Sequence, residues 1–261
     1  MIMNINVNYP YGWVGHIPFA FYLVRNFKPK LIVELGTHTG NSFTAFCEAV
    51  KMYNIGSKVF AIDTWSGDEH SGFYEDSVYL NLKSVIENHY IQIGEMIRKD
   101  FNDAVHDFND KSIDCLHIDG LHTYEAVKND FYTWLPKLKN EGLIIIHDTV
   151  VKREGFGVYK FWEDLIEIFP INYNFLHSNG LGVLSISKEK NSVSSKFVKG
   201  LIQSSDLINL MSWSGESLRQ KHILQEENKR LKEIHERVLK SKPMVARKYI
   251  KLLIKKFRFG Y

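Results

Sequence analysis

Three stretches of the chain carry side chains whose types and spacing could do chemistry. The first is Glu34-Leu-Gly36-Thr37-His-Thr-Gly40-Asn41-Ser42, which follows an apolar run and opens a helical pattern. Glycines there let the backbone approach a ligand closely, and a helix start offers free N–H groups. The stretch is neither a G-x-G-x-x-G fingerprint nor a P-loop, because no Gly-Lys-Ser/Thr follows. The second is Asp63, which closes the next apolar run, where a carboxylate can accept hydrogen bonds from ribose hydroxyls. Without a ligand, the glycines would make a tight turn and Asp63 a strand-end cap. Glu34 and Asp63 together suit a nucleoside bearing positive charge better than one bearing a pyrophosphate. The third comprises Asp119-Gly-Leu-His122 and His147-Asp148, at the ends of two later apolar runs. On neighbouring parallel strands these acids would converge on one crevice. With water, two carboxylates can hold a hard divalent cation such as Mg²⁺. The bland alternative is that Asp119 and Asp148 cap helices and His122 packs beneath the helix it begins.

The elements that must position these residues alternate. Leu31–Leu35 and Lys58–Asp63 read as buried strands, with a helix over Thr39–Tyr53 between them (Phe43, Phe46, Cys47 and Val50 at helical spacing). A helix follows over Ser77–His89, then a short strand over Tyr90–Ile93. Ile113–Asp119 is a strand, Tyr124–Leu138 a helix, Gly142–His147 a strand and Val158–Phe169 a helix. Ile171–Leu176 and Leu181–Ile186 flank Ser178-Asn179-Gly180, which is hairpin chemistry. The pattern predicts an α/β fold: a Rossmann-like, doubly wound, mostly parallel seven-stranded sheet with an antiparallel C-terminal hairpin. His117 and the aromatics Trp134, Phe161 and Trp162 read as core, and His177 receives no role. His70 lies in a polar, aromatic loop that could meet a substrate.

Composition narrows the class. The 261 residues are 44% hydrophobic and 24% charged, which is ordinary for a globular protein and excludes disorder along the whole chain. Two cysteines, Cys47 and Cys115, make no disulfide framework and read as buried thiols in a reducing compartment. Met1–Pro10 has no signal-peptide pattern, and no apolar run approaches a membrane span. The expected location is therefore cytoplasmic. Eight of the 33 basic residues and no acid fall in residues 239–261; the preceding 238 residues carry 25 basic against 30 acidic side chains. An acidic body of that kind repels phosphate, so nucleic acid is not an expected partner.

Five motifs in order resemble a class I S-adenosylmethionine (SAM)-dependent methyltransferase of the methyltransferase-24 type, a branch found among glycan- and antibiotic-sugar-modifying enzymes. They are Val33-Glu-Leu-Gly-Thr-His-Thr-Gly-Asn-Ser42, Ala61-Ile-Asp-Thr-Trp-Ser-Gly-Asp-Glu-His70, Ile113-Asp-Cys-Leu-His-Ile-Asp-Gly-Leu-His-Thr-Tyr-Glu-Ala-Val127, Gly142-Leu-Ile-Ile-Ile-His-Asp-Thr149 and Gly155-Phe-Gly-Val-Tyr-Lys-Phe-Trp162. His38 stands where many such enzymes have the central glycine of the first loop. The resemblance implies SAM as cofactor. Glu34, Gly36, Thr37, Gly40, Asn41 and Ser42 would lie at its methionine end, Asp63 on the ribose, and Thr64 and Trp65 beside the adenine. It implies O-methylation of a sugar or glycan hydroxyl. His122, three residues after Asp119, would act as general base, with Asp119 and Asp148 as metal ligands, Mg²⁺ being the expected ion. Catechol-type relatives carry a further ligand after the second aspartate, where this chain has Thr149. Two alternatives stand beside that reading. One is a hydroxylase-like iron site built from His122, His147 and Asp119 or Asp148. The other is a non-catalytic SAM-binding module that docks a glycosyltransferase.

The methyltransferase domain is expected over residues 1–187 and a helical extension over 188–261, beginning with a linker or surface helix. Leu224, Leu231 and Val238 are seven residues apart, which suits a short coiled coil over 215–242 and homo-oligomers through it. Residues 243–258 form an amphipathic pattern with one basic face. That face suits peripheral contact with an anionic membrane, at its inner side, or packing on protein.

Overall fold

The computed structural model describes residues 7–68 and 72–241. A 3₁₀ turn over Trp13–His16 leads into α1 (Ile17–Phe27), β1 (Leu31–Leu35), α2 (Asn41–Tyr53) and β2 (Lys58–Asp63). A two-stranded ribbon of β3 (Gly67–Asp68) and β4 (Gly72–Phe73) precedes α3 (Ser77–His89), β5 (Gly94–Arg98) and α4 (Phe101–Ala104). Then come β6 (Ile113–Ile118), α5 (Tyr124–Trp134), β7 (Leu138–His147) and α6 (Val158–Ile168). The chain continues with β8 (Asn172–Phe175), β9 (Leu181–Ser185), α7 (Val193–Ile202) and α8 (Ser205–Ser241).

Seven strands form one sheet in the order β5-β2-β1-β6-β7-β9-β8. The first five are parallel; β9 runs antiparallel to β7, and β8 antiparallel to β9. This is the expected Rossmann-like sheet with its C-terminal hairpin. Apolar residues occupy both faces of the central strands, so each strand serves two cores. Ile32, Ala61, Cys115 and Ile145 face α1, α2, α7 and the start of α8. Val33, Leu35, Ile62, Leu116 and Ile146 face α5, α6 and residues 104–108. Strand order reverses between β1 and β6, and the crevice beyond their C-terminal ends is where such sheets bind ligands.

The sequence reading misplaced one strand. Residues 90–93 form a turn, with the N–H groups of Ile93 and Gly94 both donating to the Tyr90 carbonyl, and the strand is β5. Tyr90 closes α3 and donates its hydroxyl to Glu48, while Ile91 is exposed. β5 lies at the sheet edge, half-exposed and carrying Glu95 and Arg98, so it lacks the apolar signature of a central strand. β7 also begins earlier than expected, at Leu138, with a register shift opposite Ile113 and Cys115.

The polar stretch after residue 187 is no free linker. α7 buries Phe197, Val198 and Leu201 in the sheet core, and the compact body runs through the first part of α8 to Arg219. Residues 220–241 belong to a second unit that continues the same helix, with Leu224 and Leu231 exposed. His70 and the basic amphipathic stretch 243–258 lie outside the described residues. Among the described helices, none is long and apolar enough to cross a membrane. Cys47 and Cys115 are buried free thiols.

One acid is buried without an ion-pair partner among the described residues. Asp130 of α5 is 6% exposed and sits against Gly120 and Phe101. Burial pushes its carboxyl up to about 7; a hydrogen bond with Asn129 opposes the shift and Asp100 adds to it. The unfolded chain ionises this acid near its ordinary value, so between about pH 4 and pH 7 the native state binds the extra proton and stability falls as pH rises. Asp130→Asn is expected to raise the urea-unfolding free energy by about 2–4 kcal/mol at pH 8 and to match the parent near pH 4. Equal effects at the two pH values would refute the assignment.

Candidate active site

The glycine loop is shaped by its neighbours before any ligand is considered. Gly36 has φ +85° and donates its N–H to Ile62, and a Cβ there would collide with the Asp119 backbone carbonyl. Only glycine lets the ends of β1 and β6 meet. Asp63, at the end of β2, clamps the loop: Oδ2 accepts from the N–H groups of Thr37 and His38, both at 2.9 Å, and Oδ1 from Trp65 N at 2.7 Å. Trp65 is fully buried and donates its indole N–H to the His38 carbonyl.

A cavity of about 540 Å³ opens over this loop and the ends of β1, β2, β6 and β7. Gly36, Thr37, Asn41, Ser42, Asp63 and Thr64 line it, as do Asp119, His122 and Asp148. Glu34, Gly40 and Trp65 do not; they lie in the layer beneath. Glu34 is fully buried, and Oε2 is 2.9 Å from His117 Nδ1. His117 Nε2 accepts from the indole N–H of Trp13 at 3.1 Å. Indole can only donate, so His117 carries its proton on Nδ1 and gives it to Glu34. This buried relay joins β1, β6 and the N-terminal turn, and Trp13 forms part of the cavity wall. Asn41 is also committed: Oδ1 accepts from Asn8 N, and Nδ2 donates to the carbonyls of Asn8 and Pro10. Its amide thus straps residues 8–10 along the rim, where Tyr9 and Pro10 face the cavity.

The far wall holds four titratable groups in contact. His122 Nε2 is 2.8 Å from Asp148 Oδ2 and 3.6 Å from Asp119 Oδ1. His147 Nδ1 is 3.2 Å from Asp119 Oδ1, and its Nε2 is 3.1 Å from the Ser178 carbonyl. A carbonyl can only accept, so His147 donates from Nε2; with Asp119 ionised it donates from Nδ1 as well and is an imidazolium. Burial would lower the pKa of His147, but the charges of Asp119 and Asp148 raise it to about 9. Burial likewise opposes, and hydrogen bonds to Asp119 and Asp148 overcome, giving His122 a pKa of about 10. Burial pushes both acids up, yet the His147 charge and the bond to His122 hold both below the usual carboxylate range. His16 also points Nε2 at the Ser178 carbonyl, at 3.0 Å; burial and the neighbouring His147 keep it neutral, well below its ordinary value.

Two features suit a ligand set. Asp148 adopts φ +62°, a left-handed conformation costly for a non-glycine residue, and its buried Oδ1 accepts no hydrogen bond among the described residues. Ligating atoms of Asp119, His122 and Asp148 lie within 4.8 Å of one another. Thr37, on the opposite wall, has a buried hydroxyl without a hydrogen-bond partner. Thr149 is turned away, donating to Asn174 at 2.7 Å.

Several lining residues escaped the sequence reading. Asp100 and Phe101 border the cavity because they follow β5; placing that strand four residues early hid them. Tyr74 stacks on His38, with centroids 4.6 Å apart. Phe156 lies parallel to His122 at 4.7 Å, and the Arg153 guanidinium carbon lies 3.9 Å from the Phe156 ring centroid.

A family model described as a methyltransferase domain matches residues 33–149, which hold the glycine loop and all four groups of the far wall. Residues 33–149 are thus similar to a methyltransferase domain family. The domain is 18% identical to a Staphylococcus aureus protein described as a candidate caffeoyl-CoA O-methyltransferase, with TM-score 0.52 over 69% of this chain and 85% of that one. It also resembles the O-methyltransferase TomG of Streptomyces achromogenes, involved in tomaymycin synthesis and solved with SAM (10% identity, TM-score 0.50, 71% of this chain and 92% of that one). Identities this low speak for the fold. An uncharacterized Sinorhizobium fredii protein, y4gI, is 40% identical over 194 residues. That match covers 72% of this chain and 21% of y4gI, so the chain spans about a fifth of its relative's length.

The relay beneath the methyltransferase cavity can be tested directly. Nitrogen-15 NMR of the His117 ring is expected to show a protonated Nδ1 and a bare Nε2 at neutral pH. Trp13→Phe, which leaves Nε2 without its donor, should cost about 1–3 kcal/mol in urea unfolding. A protonated Nε2 in the parent protein contradicts the relay.

Proposed function

We propose that the domain transfers the methyl group of SAM to a hydroxyl of a sugar or glycan. The observation that carries this reading is the cavity itself: a strand-end crevice with a clamped glycine loop on one wall and the Asp119–His122–Asp148 cluster on the other. Its volume lies in the range of small-molecule sites. Gly36, Thr37, Ser42, Asp63 and Thr64 would hold the cofactor, with the unpartnered Thr37 hydroxyl free to bond it. Bound there, SAM supplies an electrophilic methyl on a positively charged sulfur. Asp63 Oδ1 accepts a single backbone bond and keeps a lone pair, enough to accept from ribose.

A hydroxyl attacks that methyl well only as it loses its proton. His122 accepts a proton at Nε2 only from its neutral state, which it reaches when positive charge in the cavity offsets Asp119 and Asp148. The imidazolium that results is stabilised by Asp148 Oδ2 at 2.8 Å and Asp119 at 3.6 Å. Asp119 and Asp148 are the residues that would hold a divalent ion such as Mg²⁺, whose chemistry would be to lower the pKa of the bound hydroxyl. His147 and the Ser178 carbonyl keep Asp119 oriented.

Two features favour this over the alternatives. A two-histidine iron site would need His147, yet both of its ring nitrogens are engaged, by Asp119 and by Ser178. A non-catalytic module would have no need of a strained Asp148 paired to His122. The rim, with Tyr9, Tyr74 and Asn179, offers aromatic faces and an amide of the kind that bind sugars.

The test is transfer of label from SAM across sugar nucleotides, lipid-linked sugars and oligosaccharides, with and without EDTA. His122→Asn is expected to lower turnover about a hundredfold or more while S-adenosylhomocysteine still binds. A fully active variant would take His122 out of the chemistry, and undiminished turnover in EDTA would remove the metal.

A further inference from the structure

Resting on the acceptor reading above, we infer that Arg153 is a specificity-determining residue that selects an acceptor carrying an oxyanion, phosphate or carboxylate, close to the hydroxyl to be methylated. Arg153 is the only lysine or arginine among the described residues lining the cavity. Its guanidinium carbon sits 3.9 Å from the centroid of Phe156, whose ring lies parallel to His122, 5° off and 4.7 Å away. Arg153 and His122 thus both pack against Phe156.

This packing is held by backbone as well as by rings. Phe156 N–H donates to the Arg153 carbonyl, closing the turn between them, and Gly155 takes φ +83° within it. Gly157 N–H donates to the His122 carbonyl at 2.8 Å, tying this turn to the loop that carries His122. The backbone that carries Arg153 is therefore tied to the loop that carries His122.

Charge argues for a ligand rather than a structural partner. The cavity wall carries Asp63, Asp100, Asp119 and Asp148. Asp63 is clamped by backbone N–H groups, Asp100 accepts from Asn102, and Asp119 and Asp148 face the two histidines. Arg153 forms no ion pair with an acid among the described residues. A guanidinium packed on an aromatic ring without an acid partner can still present its N–H fork, which matches a phosphate or carboxylate in bidentate fashion. The neutral hydroxyls of an unmodified sugar make no comparable use of it.

SAM also carries a carboxylate, so the experiment separates the two anions. Matched pairs are titrated calorimetrically into the full chain saturated with S-adenosylhomocysteine: hexose 1-phosphates and hexuronic acids against the corresponding methyl glycosides. Tighter binding of at least one anionic class by tenfold or more is expected. Arg153→Gln should reduce that anionic-over-neutral ratio to near one. Arg153→Lys should retain part of it, because the charge stays and the planar fork goes. Affinity for S-adenosylhomocysteine should stay within twofold in both variants, which also confirms folding. Equal affinity for anionic and neutral sugars across the panel overturns the inference, as does an unchanged ratio in Arg153→Gln. So does a variant that loses S-adenosylhomocysteine instead, since Arg153 would then serve the cofactor. Absence of label transfer to any acceptor bears on the methyl-transfer reading alone, because the binding ratios are read without turnover.

Discussion

Two carboxylates removed from water at the ends of β6 and β7 constrain most of what surrounds them. Asp148 is 5% exposed, and Asp119 is little more open. Neither could stay ionised there without nearby positive charge or hydrogen-bond donors. His122 and His147 supply both, and each must be held in turn. The Ser178 carbonyl in the β8–β9 hairpin orients His147, and Phe156 backs His122. The antiparallel hairpin at the sheet edge thereby becomes part of the wall that holds these acids. Ser178 in turn donates its hydroxyl to Glu216 of α8, so the body's last helix reaches the same network.

The other wall obeys a similar logic with backbone in place of charge. Asp63 organises three N–H groups from two loops, and that arrangement gives the glycine loop its shape in the absence of any ligand. A carboxylate that already accepts from protein can still accept a further bond, because Oδ1 has two lone pairs and only one backbone donor. Preorganisation of this sort means the site need not be built at the moment of binding.

Much of this was legible from sequence, for physical reasons. Central strands buried on both faces must be continuous apolar runs, so Leu31–Leu35, Lys58–Asp63 and Ile113–Ile118 announced themselves, and with them the acids at their ends. The edge strand β5 had no such requirement, and misplacing it concealed Asp100 and Phe101. Glu34 looked like a lining residue from its place before the glycines. In an alternating strand it faces inward instead, and what it meets there, His117 and Trp13, depends on packing between distant segments. The same holds for the packing of Arg153 and His122 against Phe156 and for Asn41. No local spacing encodes a partner that lies 31 or 33 residues away.

Asn41 holds the rim through main-chain atoms alone: one N–H and two carbonyls of residues 8–10. Anchorage of this type does not depend on which side chains the strap bears. Tyr9, 74% exposed at the cavity mouth, is accordingly released from any duty in closing the fold. A substitution there alters the surface an acceptor first meets while leaving the cofactor wall intact. The strap is thus a position where the cavity mouth can drift during divergence by single changes, with the glycine loop and the acid–histidine cluster beneath it insulated from the cost.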